Sequence, residues 1–152
     1  MEELLNRGVE KIYPSREELA QVLASGKKLK IYFGIDPTGS LHIGHGANLL
    51  KLREFQDQGH EIIILIGDST AMIGDPTDKM AERVQLSREQ VQENLKNYKE
   101  QINKILDPGK TKFVFNSEWL GKLNLTELLE LASHVTFAQI IKRDMFQKRL
   151  AE

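Results

Sequence analysis

Cysteine is absent from this 152-residue sequence, which excludes disulfide bonds and cysteine-ligated metal centres. Neither sign of charge is in excess, because 21 basic residues face 22 acidic ones, so no strong overall field attracts nucleic acid or an anionic membrane. The longest aliphatic run, residues 62–66, is far too short to cross a bilayer, and the acidic first ten residues do not resemble a secretory signal. We therefore expect one cytoplasmic domain that is long enough to bury a core and has no membrane partner.

What the sequence does contain is an alternation of strand and helix patterns. Apolar runs rich in β-branched residues predict strands over residues 30–35, 61–66 and 111–116. The uninterrupted run at 61–66 is typical of a central parallel strand that is covered on both faces. A helix predicted from about residue 41 to residue 58 links the first two strands through a right-handed crossover. The expected fold class is therefore α/β, with a Rossmann-like parallel sheet.

Further helices are predicted on either side of these strands. Two of them, over residues 1–12 and 15–24, make up an amino-terminal helical segment within residues 1–30 that carries no assigned chemistry. Capping boxes predict helix starts at Ser15, Ser87 and Thr136. The apolar stripe after Ser87 runs to residue 105 and predicts one helix, in which Tyr98 is a core residue rather than a catalytic one. The last two helices are expected at 125–134 and 137–150. The inward-facing residues predicted for the second and third helices are Leu19, Val22, Leu23, Leu49, Leu50, Leu52 and Phe55.

The most informative stretch runs from Tyr32 to His45 and reads YFGIDPTGSLHIGH. A strand, a turn and a helix start in succession direct backbone N–H groups and the positive end of a helix at one point, which is how many folds bind phosphate. Gly44 would let a ligand approach the backbone closely. The two histidines, three residues apart, can donate hydrogen bonds to phosphate or ribose oxygens. The stretch therefore predicts a nucleotide site. The alternatives are a metal half-site and two ordinary surface histidines.

A second stretch, residues 67–86, reads GDSTAMIGDPTDKMAERVQL and follows the central strand. It holds two Gly-Asp pairs, one proline and few strong helix or strand formers, so we predict a long loop. Loops of this length within compact domains usually carry function. In a parallel sheet this loop and the YFGIDPTGSLHIGH turn leave from the same edge, where ligands bind.

Three motifs together resemble the class I aminoacyl-tRNA synthetases. They are YFGIDPTGSLHIGH with its HIGH signature, GDPTDKMAER at 74–83 and NSEWLG at 116–121, and their order is similar to that of the tyrosyl-tRNA synthetases in particular. This resemblance implies tyrosine activation by ATP, giving tyrosyl-adenylate, followed by transfer to tRNA(Tyr). Tyrosine, ATP with Mg²⁺, and tRNA(Tyr) are the implied partners, with no tightly bound cofactor or protein-held metal and with a homodimer as the assembly.

The resemblance also implies roles for individual residues. Thr38, His42, His45, Lys79 and Arg83 would be catalytic. Of these, Thr38 and His42 would stabilise the phosphates in the transition state, and His45 would bind near the ribose. Lys79 and Arg83 would belong to a mobile basic loop that closes over the departing pyrophosphate. The implied ATP-binding residues are Gly34, Asp36, His42, Gly44 and His45. Those implied to bind the amino acid are Tyr32 at its hydroxyl group, Asp75 at its ammonium group, and Asn116 and Trp119 along the pocket.

Length sets a further expectation, because synthetases of this family are more than twice as long as this chain. We expect residues 1–152 to be the amino-terminal portion of the catalytic domain, truncated after its first half plus connecting helices, and weakly active or inactive alone. Three other assignments remain open: a tryptophanyl-tRNA synthetase, a nucleotidyltransferase with its own H-x-G-H turn, and a non-catalytic folding or dimerisation module. The basic residues Lys142, Arg143, Lys148 and Arg149 indicate a solvated helix face or, alternatively, an RNA contact.

Overall fold

A computed structural model of the chain describes residues 2–73, 86–142, 146, 147 and 150. Its centre is a three-stranded parallel sheet in the order β1-β2-β3, with β1 at Lys30–Ile35, β2 at Glu61–Ile66 and β3 at Thr111–Phe115. Gly34 lies beside Leu65, and Leu65 lies beside Val114, so the three strands are in register at their carboxyl ends. The predicted strands and the central place of β2 are confirmed.

Nine helices surround the sheet within the described residues. They are α1 (Glu2–Asn6), α2 (Arg16–Ala24), α3 (Ile43–Asp57), α4 (Thr70–Ile73), α5 (Arg88–Leu95), α6 (Tyr98–Asn103), α7 (Ser117–Leu120), α8 (Leu125–Ser133) and α9 (Phe137–Ile140). A short 3₁₀ turn at Pro108–Lys110 precedes β3. Within these ranges, no helix has the length and apolar character that a membrane span requires.

The main core lies on one face of the sheet. Ile62, Ile64 and Ile66 of β2 are fully buried there, and α3 and α6 cover them. The opposite face is only half-buried at Ile63 and Leu65, so the prediction that β2 is covered on both faces holds fully for one face. The other buried members of this core are Ile35, Leu49, Leu52, Tyr98, Ile102 and Leu106. A second, smaller core joins Leu4, Leu5 and Leu23 from α1 and α2.

Several predicted helix boundaries differ from the observed ones. The first helix ends at Asn6 instead of residue 12, because Gly8 adopts a φ of +66°, which terminates a helix. The helix predicted from residue 88 to 105 is two helices, since the Lys96 N–H bonds to the Glu93 carbonyl three residues back and the α-helical ladder stops there. The helix predicted to end at residue 150 has its described bounds at Phe137–Ile140, and several residues beyond lie outside the described ranges.

The prediction that Val22 and Leu50 belong to the core is wrong, because their side chains are 40% and 58% exposed. Val22 precedes the buried Leu23, and Leu50 follows the buried Leu49. Each therefore lies about 100° around the helix from its buried neighbour. Leu49, Leu52 and Leu23 are buried as predicted. The capping boxes predicted at Ser87 and Thr136 are both present. Ser15 caps its helix by accepting a hydrogen bond from the Glu18 N–H, which is one half of the capping box predicted there.

Candidate functional site

The three parallel strands end at one edge, and the polar residues that follow them meet there. Asp36 follows β1, Gly67 follows β2 and Asn116 follows β3. The Gly67 N–H donates to the Ile35 carbonyl at 2.9 Å, and the Asn116 N–H donates to the Ile66 carbonyl at 2.9 Å. These bonds extend the sheet pairing by one step. The end of β1, from which the turn leads into α3, is therefore held in place by backbone hydrogen bonds.

The helix α3 begins with a reciprocal cap made by its two histidines. His42 is the N-cap residue rather than part of the first turn, and its Nδ1 accepts a hydrogen bond from the Gly44 N–H at 3.2 Å. In return, His45 Nδ1 accepts a hydrogen bond from the His42 N–H at 3.3 Å. The two rings lie 4.0 Å apart between centroids. Because both Nδ1 atoms are acceptors, the hydrogen-bond pattern assigns the ring protons to Nε2.

Electrostatics disfavour a positive charge on His45 at this helix start. Burial lowers the pKa of His45, and the neighbouring His42 imidazole lowers that pKa further. The positive end of the α3 dipole opposes a second positive charge at the same place. Because each Nδ1 accepts a backbone N–H, the Nε2 atom of each ring is left to donate to phosphate or ribose oxygens.

The structure shows why a glycine suits position 44, for a reason that the sequence alone did not reveal. A Cβ at this position would lie 3.0 Å from His42 Cε1 and 3.1 Å from His42 Nδ1. The missing side chain therefore leaves space for the capping imidazole. Close approach of a ligand to the Gly44 backbone stays a prediction.

A directed chain of hydrogen bonds joins the three strand ends. The Ser69 N–H donates to Asn116 Oδ1 at 2.9 Å, and Asn116 Nδ2 donates to Thr70 Oγ1 at 3.0 Å. Thr70 Oγ1 in turn donates to Asp36 Oδ1 at 2.9 Å. A Cβ on Gly67 would stand 1.7 Å from that same oxygen, so only glycine fits beside the carboxylate. Asn116 is only 7% exposed, and its hydrogen bonds to Ser69 and Thr70 fix the orientation of its side chain.

The turn after β1 is bound on its other side by α5 and α6. Asn94 Nδ2 donates to the Pro37 carbonyl at 2.8 Å, and the Tyr98 hydroxyl donates to the Gly39 carbonyl. Burial raises the pKa of Tyr98, and the bond to Gly39 only partly opposes this rise, so the hydroxyl keeps its proton at neutral pH. Tyr98 is a core residue as predicted, and its hydroxyl also contacts the turn.

The remaining predicted site residues are largely open to solvent. Tyr32 is 72% exposed on the sheet face opposite the main core, and Gly34 lies on that face two residues later. Thr38 is exposed in the turn, where its N–H donates to the Asp36 carbonyl at 2.8 Å. Trp119 lies on α7 just beyond β3 and is 42% exposed.

Three predicted site residues, Asp75, Lys79 and Arg83, lie outside the described residues. The sequence did not single out Gly67, Thr70 or Asn94, which contact the predicted turn. The only local signal for the first two was the Gly-Asp pair directly after a buried strand. Asn94 gave no signal, because its position on an amphipathic helix indicates only a polar residue.

No group of three or more histidine, aspartate or glutamate residues that could hold a metal ion occurs in the described part of the chain. The His42–His45 pair therefore has no third ligand of these types among those residues. Its Nδ1 atoms are also engaged by backbone N–H groups. The arrangement is that of hydrogen-bond donors at a helix start.

Comparison with known proteins gives concordant matches. Residues 24–152 match the family model described as tRNA synthetases class I (W and Y). The chain is 52% identical to the tyrosine–tRNA ligase of Carboxydothermus hydrogenoformans over 99% of its length, and 48% identical to that of Moorella thermoacetica over 98%. It spans only 38% and 37% of the lengths of these two relatives.

Solved structures give the same result for the fold. A C-terminally truncated mitochondrial tyrosyl-tRNA synthetase of Coccidioides posadasii aligns with a TM-score of 0.74 and 29% identity, over 97% of this chain and 44% of that one. The tyrosyl-tRNA synthetase of Archaeoglobus fulgidus complexed with L-tyrosine aligns with a TM-score of 0.67 and 30% identity, over 88% and 40%. The predicted α/β class with a Rossmann-like parallel sheet is confirmed.

Proposed function

This chain belongs to the class I tRNA synthetases of the tryptophan and tyrosine group, and from that premise we propose that it supplies the amino-terminal catalytic portion of a tyrosine–tRNA ligase. The observation that carries the proposal is the 52% identity to a tyrosine–tRNA ligase over nearly the whole chain. Family membership sets aside the nucleotidyltransferase with an H-x-G-H turn. The reaction is attack of the tyrosine carboxylate on the α-phosphate of ATP, which forms tyrosyl-adenylate and releases pyrophosphate.

In this proposal the turn between β1 and α3 binds the phosphates. The hydroxyl of Thr38 and the Nε2–H group of His42 donate to phosphate oxygens as negative charge moves onto the leaving pyrophosphate, and His45 binds near the ribose. The hydrogen bonds that both Nδ1 atoms accept from backbone N–H groups support this role, since they leave the Nε2–H of each ring for a ligand. No nucleophilic side chain is required, because catalysis of this reaction depends on positioning and charge stabilisation.

The rest of the nucleotide is assigned to neighbouring residues. Gly34, Asp36 and Gly44 would contact ATP along the strand end and the helix start. Lys79 and Arg83, matched to the family by sequence alone, would stabilise the pyrophosphate. A cationic side chain that binds the transition state more strongly than the substrate raises turnover instead of merely tightening binding.

The amino acid would bind on the open face of the sheet. Tyr32 is proposed to contact the substrate hydroxyl, and its 72% exposure on that face supports access to it. Asp75 would pair with the ammonium group. Asn116 and Trp119 would line the pocket beyond β3, where the bonds of Asn116 to Ser69 and Thr70 fix its orientation.

Other partners follow from the same proposal. Mg²⁺ would arrive with the phosphates of ATP. tRNA(Tyr) would accept the tyrosyl group, a homodimer would be the assembly, and the cytoplasm would be the location. Residues 1–30 would serve as a helical segment of the catalytic domain.

Amino-acid-dependent exchange of pyrophosphate into ATP tests the proposal on this chain. Tyrosine, phenylalanine and tryptophan are assayed in parallel, and weak exchange with tyrosine alone is the outcome that supports the proposal. Exchange with tryptophan alone would assign the chain to the tryptophan enzymes instead. No exchange from a folded sample would contradict catalysis by this chain alone and would show that activation requires more of the enzyme than the 38% that this chain spans.

The substitution His42→Asn sharpens the assay. Asparagine is a strong N-cap residue and retains the helix start, whereas the Nε2–H donor is lost. We expect the exchange rate to fall about 100-fold, since one preorganised donor to a transition-state oxyanion contributes about 3 kcal/mol. An unchanged rate with an unchanged melting temperature would remove His42 from the catalytic set.

A further inference from the structure

The turn that carries Thr38 is held by side chains from a distant part of the chain. Asn94 of α5 donates to the Pro37 carbonyl at 2.8 Å, and Tyr98 of α6 donates to the Gly39 carbonyl. These donors lie 57 and 59 residues away in sequence from their acceptors. Tyr98 is 3% exposed, so the Gly39 carbonyl is directed toward the protein interior.

The orientation of a carbonyl determines the orientation of the N–H that shares its peptide unit. A trans peptide is planar, and its C=O and N–H point in opposite directions. The Tyr98 bond to the Gly39 carbonyl therefore directs the Ser40 N–H away from the interior, and Thr38, Ser40 and His42 are all exposed. Among the described residues, no acceptor bonds to the Ser40 N–H. It is an unused donor beside the reciprocal histidine cap.

The Asn94 bond acts on the preceding part of the turn. With the Pro37 carbonyl fixed, the Thr38 peptide is fixed too, and its N–H donates to the Asp36 carbonyl at 2.8 Å. A third contact comes from Thr70, whose Oγ1 donates to Asp36 Oδ1 at 2.9 Å. Residues 36–39 are thus bound by side chains at three points, although the turn itself is partly exposed.

We infer that Asn94 and Tyr98 are positioning residues for phosphate binding, which hold the turn so that the Ser40 N–H and the Thr38 hydroxyl face a polyphosphate. The inference rests on the proposed function, because it assumes that a nucleotide triphosphate is the ligand. Neither side chain touches the ligand. Each acts by orienting backbone donors before binding, which removes an ordering cost that ATP would otherwise meet.

The substitution Tyr98→Phe tests this inference by deleting one hydroxyl while the ring stays in the core. Asn94→Ala is a second variant that deletes the other donor. Tyr13→Phe is the matched control, since it deletes a hydroxyl from a tyrosine that is 70% exposed and outside the turn. Two quantities are measured on the whole chain: ¹⁵N-relaxation order parameters of Thr38, Gly39 and Ser40, and the Kd of Mg-ATP by NMR titration.

We expect lower order parameters in the turn and about two- to tenfold weaker ATP binding for both turn variants, with a modestly lowered melting temperature because each variant leaves a carbonyl without its donor. Tyr13→Phe should match the wild type in every measurement. Unchanged order parameters would overturn the inference, and so would mobile turn residues with unchanged ATP affinity. If the wild-type chain binds no ATP, the proposed nucleotide site fails and the positioning role fails with it. The order parameters would still show separately whether the two side chains hold the turn.

Discussion

At the scale of single residues, the two histidines at the start of α3 act on each other and not only on a ligand. Each Nδ1 accepts a backbone N–H, so the helix cap selects the tautomer of both rings. His60 provides an independent case, because its Nδ1 accepts the Leu29 N–H at 3.3 Å. The same structural feature that satisfies the helix start thus supplies two outward donors.

A histidine whose Nδ1 accepts a backbone N–H is predicted to carry its ring proton on Nε2. Long-range ¹H–¹⁵N correlation spectra at pH 7.5 should show the Nε2–H form for His42, His45 and His60. His134, whose side chain has no hydrogen bond among the described residues, should show the mixture typical of a solvated imidazole. A predominant Nδ1–H form of His42 or His45 would contradict the reciprocal cap.

The lowered pKa of His45 predicts a pH-dependent stability. The unfolded chain binds a proton near pH 6.5 whereas folded His45 resists it until lower pH, so the free energy of unfolding should fall as pH decreases through that window. His45→Gln should remove this contribution, since glutamine at the same position maintains a capping box without titrating. Urea titrations at pH 7.5 and 5.5 measure the difference. Equal pH dependence in both proteins would show that His45 does not contribute.

At the scale of elements, the strands could be predicted almost to the residue and some helices could not. The continuous β-branched run at residues 61–66 predicts a strand of those bounds, and the strand has them. Capping boxes mark helix starts because their contacts join residues only three positions apart. The break at Lys96 was hidden because the apolar stripe continues across it to Tyr98 and Ile102. The sequence does not mark His42 as the cap of α3, because imidazole is not among the common capping side chains.

The candidate site was predictable only where its residues are neighbours in sequence. The histidine pair, the turn and the strand end lie within one stretch of sequence, and that stretch alone predicts a nucleotide site. Thr70 bonds to Asp36 across 34 residues, and Asn94 bonds to Pro37 across 57, so no local pattern reports them. These supporting contacts depend on the sheet order and on the packing of α5, which a sequence pattern does not specify.

The junction of the strand ends predicts a strong effect at Gly67. Gly67→Ala would place a Cβ within 1.7 Å of Asp36 Oδ1, forcing the carboxylate away from Thr70, and should destabilise the chain by about 1–3 kcal/mol. Gly46→Ala is the matched control, because the nearest atom to its added Cβ is 4.0 Å away and alanine favours the helix. Thermal unfolding of both variants checks this. A Gly67→Ala protein as stable as the Gly46→Ala protein would contradict the close packing.

At the scale of the whole molecule, the apolar surface is distributed unevenly. The main core covers one face of the sheet, whereas α8 exposes four leucines: Leu125 at 70%, Leu128 at 51%, Leu129 at 62% and Leu131 at 59%. A contiguous apolar surface of this kind is usually covered in solution. The homodimer proposed for this chain would cover it with a second copy.

The dimer proposal therefore predicts concentration-dependent association through α8. Light scattering after size exclusion should give a mass that rises above that of one chain as concentration increases. Leu129→Lys should shift the chain toward the monomer, because a charge buried in an apolar interface is costly. Leu50→Lys is the matched control, since Leu50 is 58% exposed on α3, and it should leave association unchanged. A monomer at every concentration, or an equal effect of the two lysines, would argue against a dimer through this helix, because a specific interface must distinguish the two surfaces.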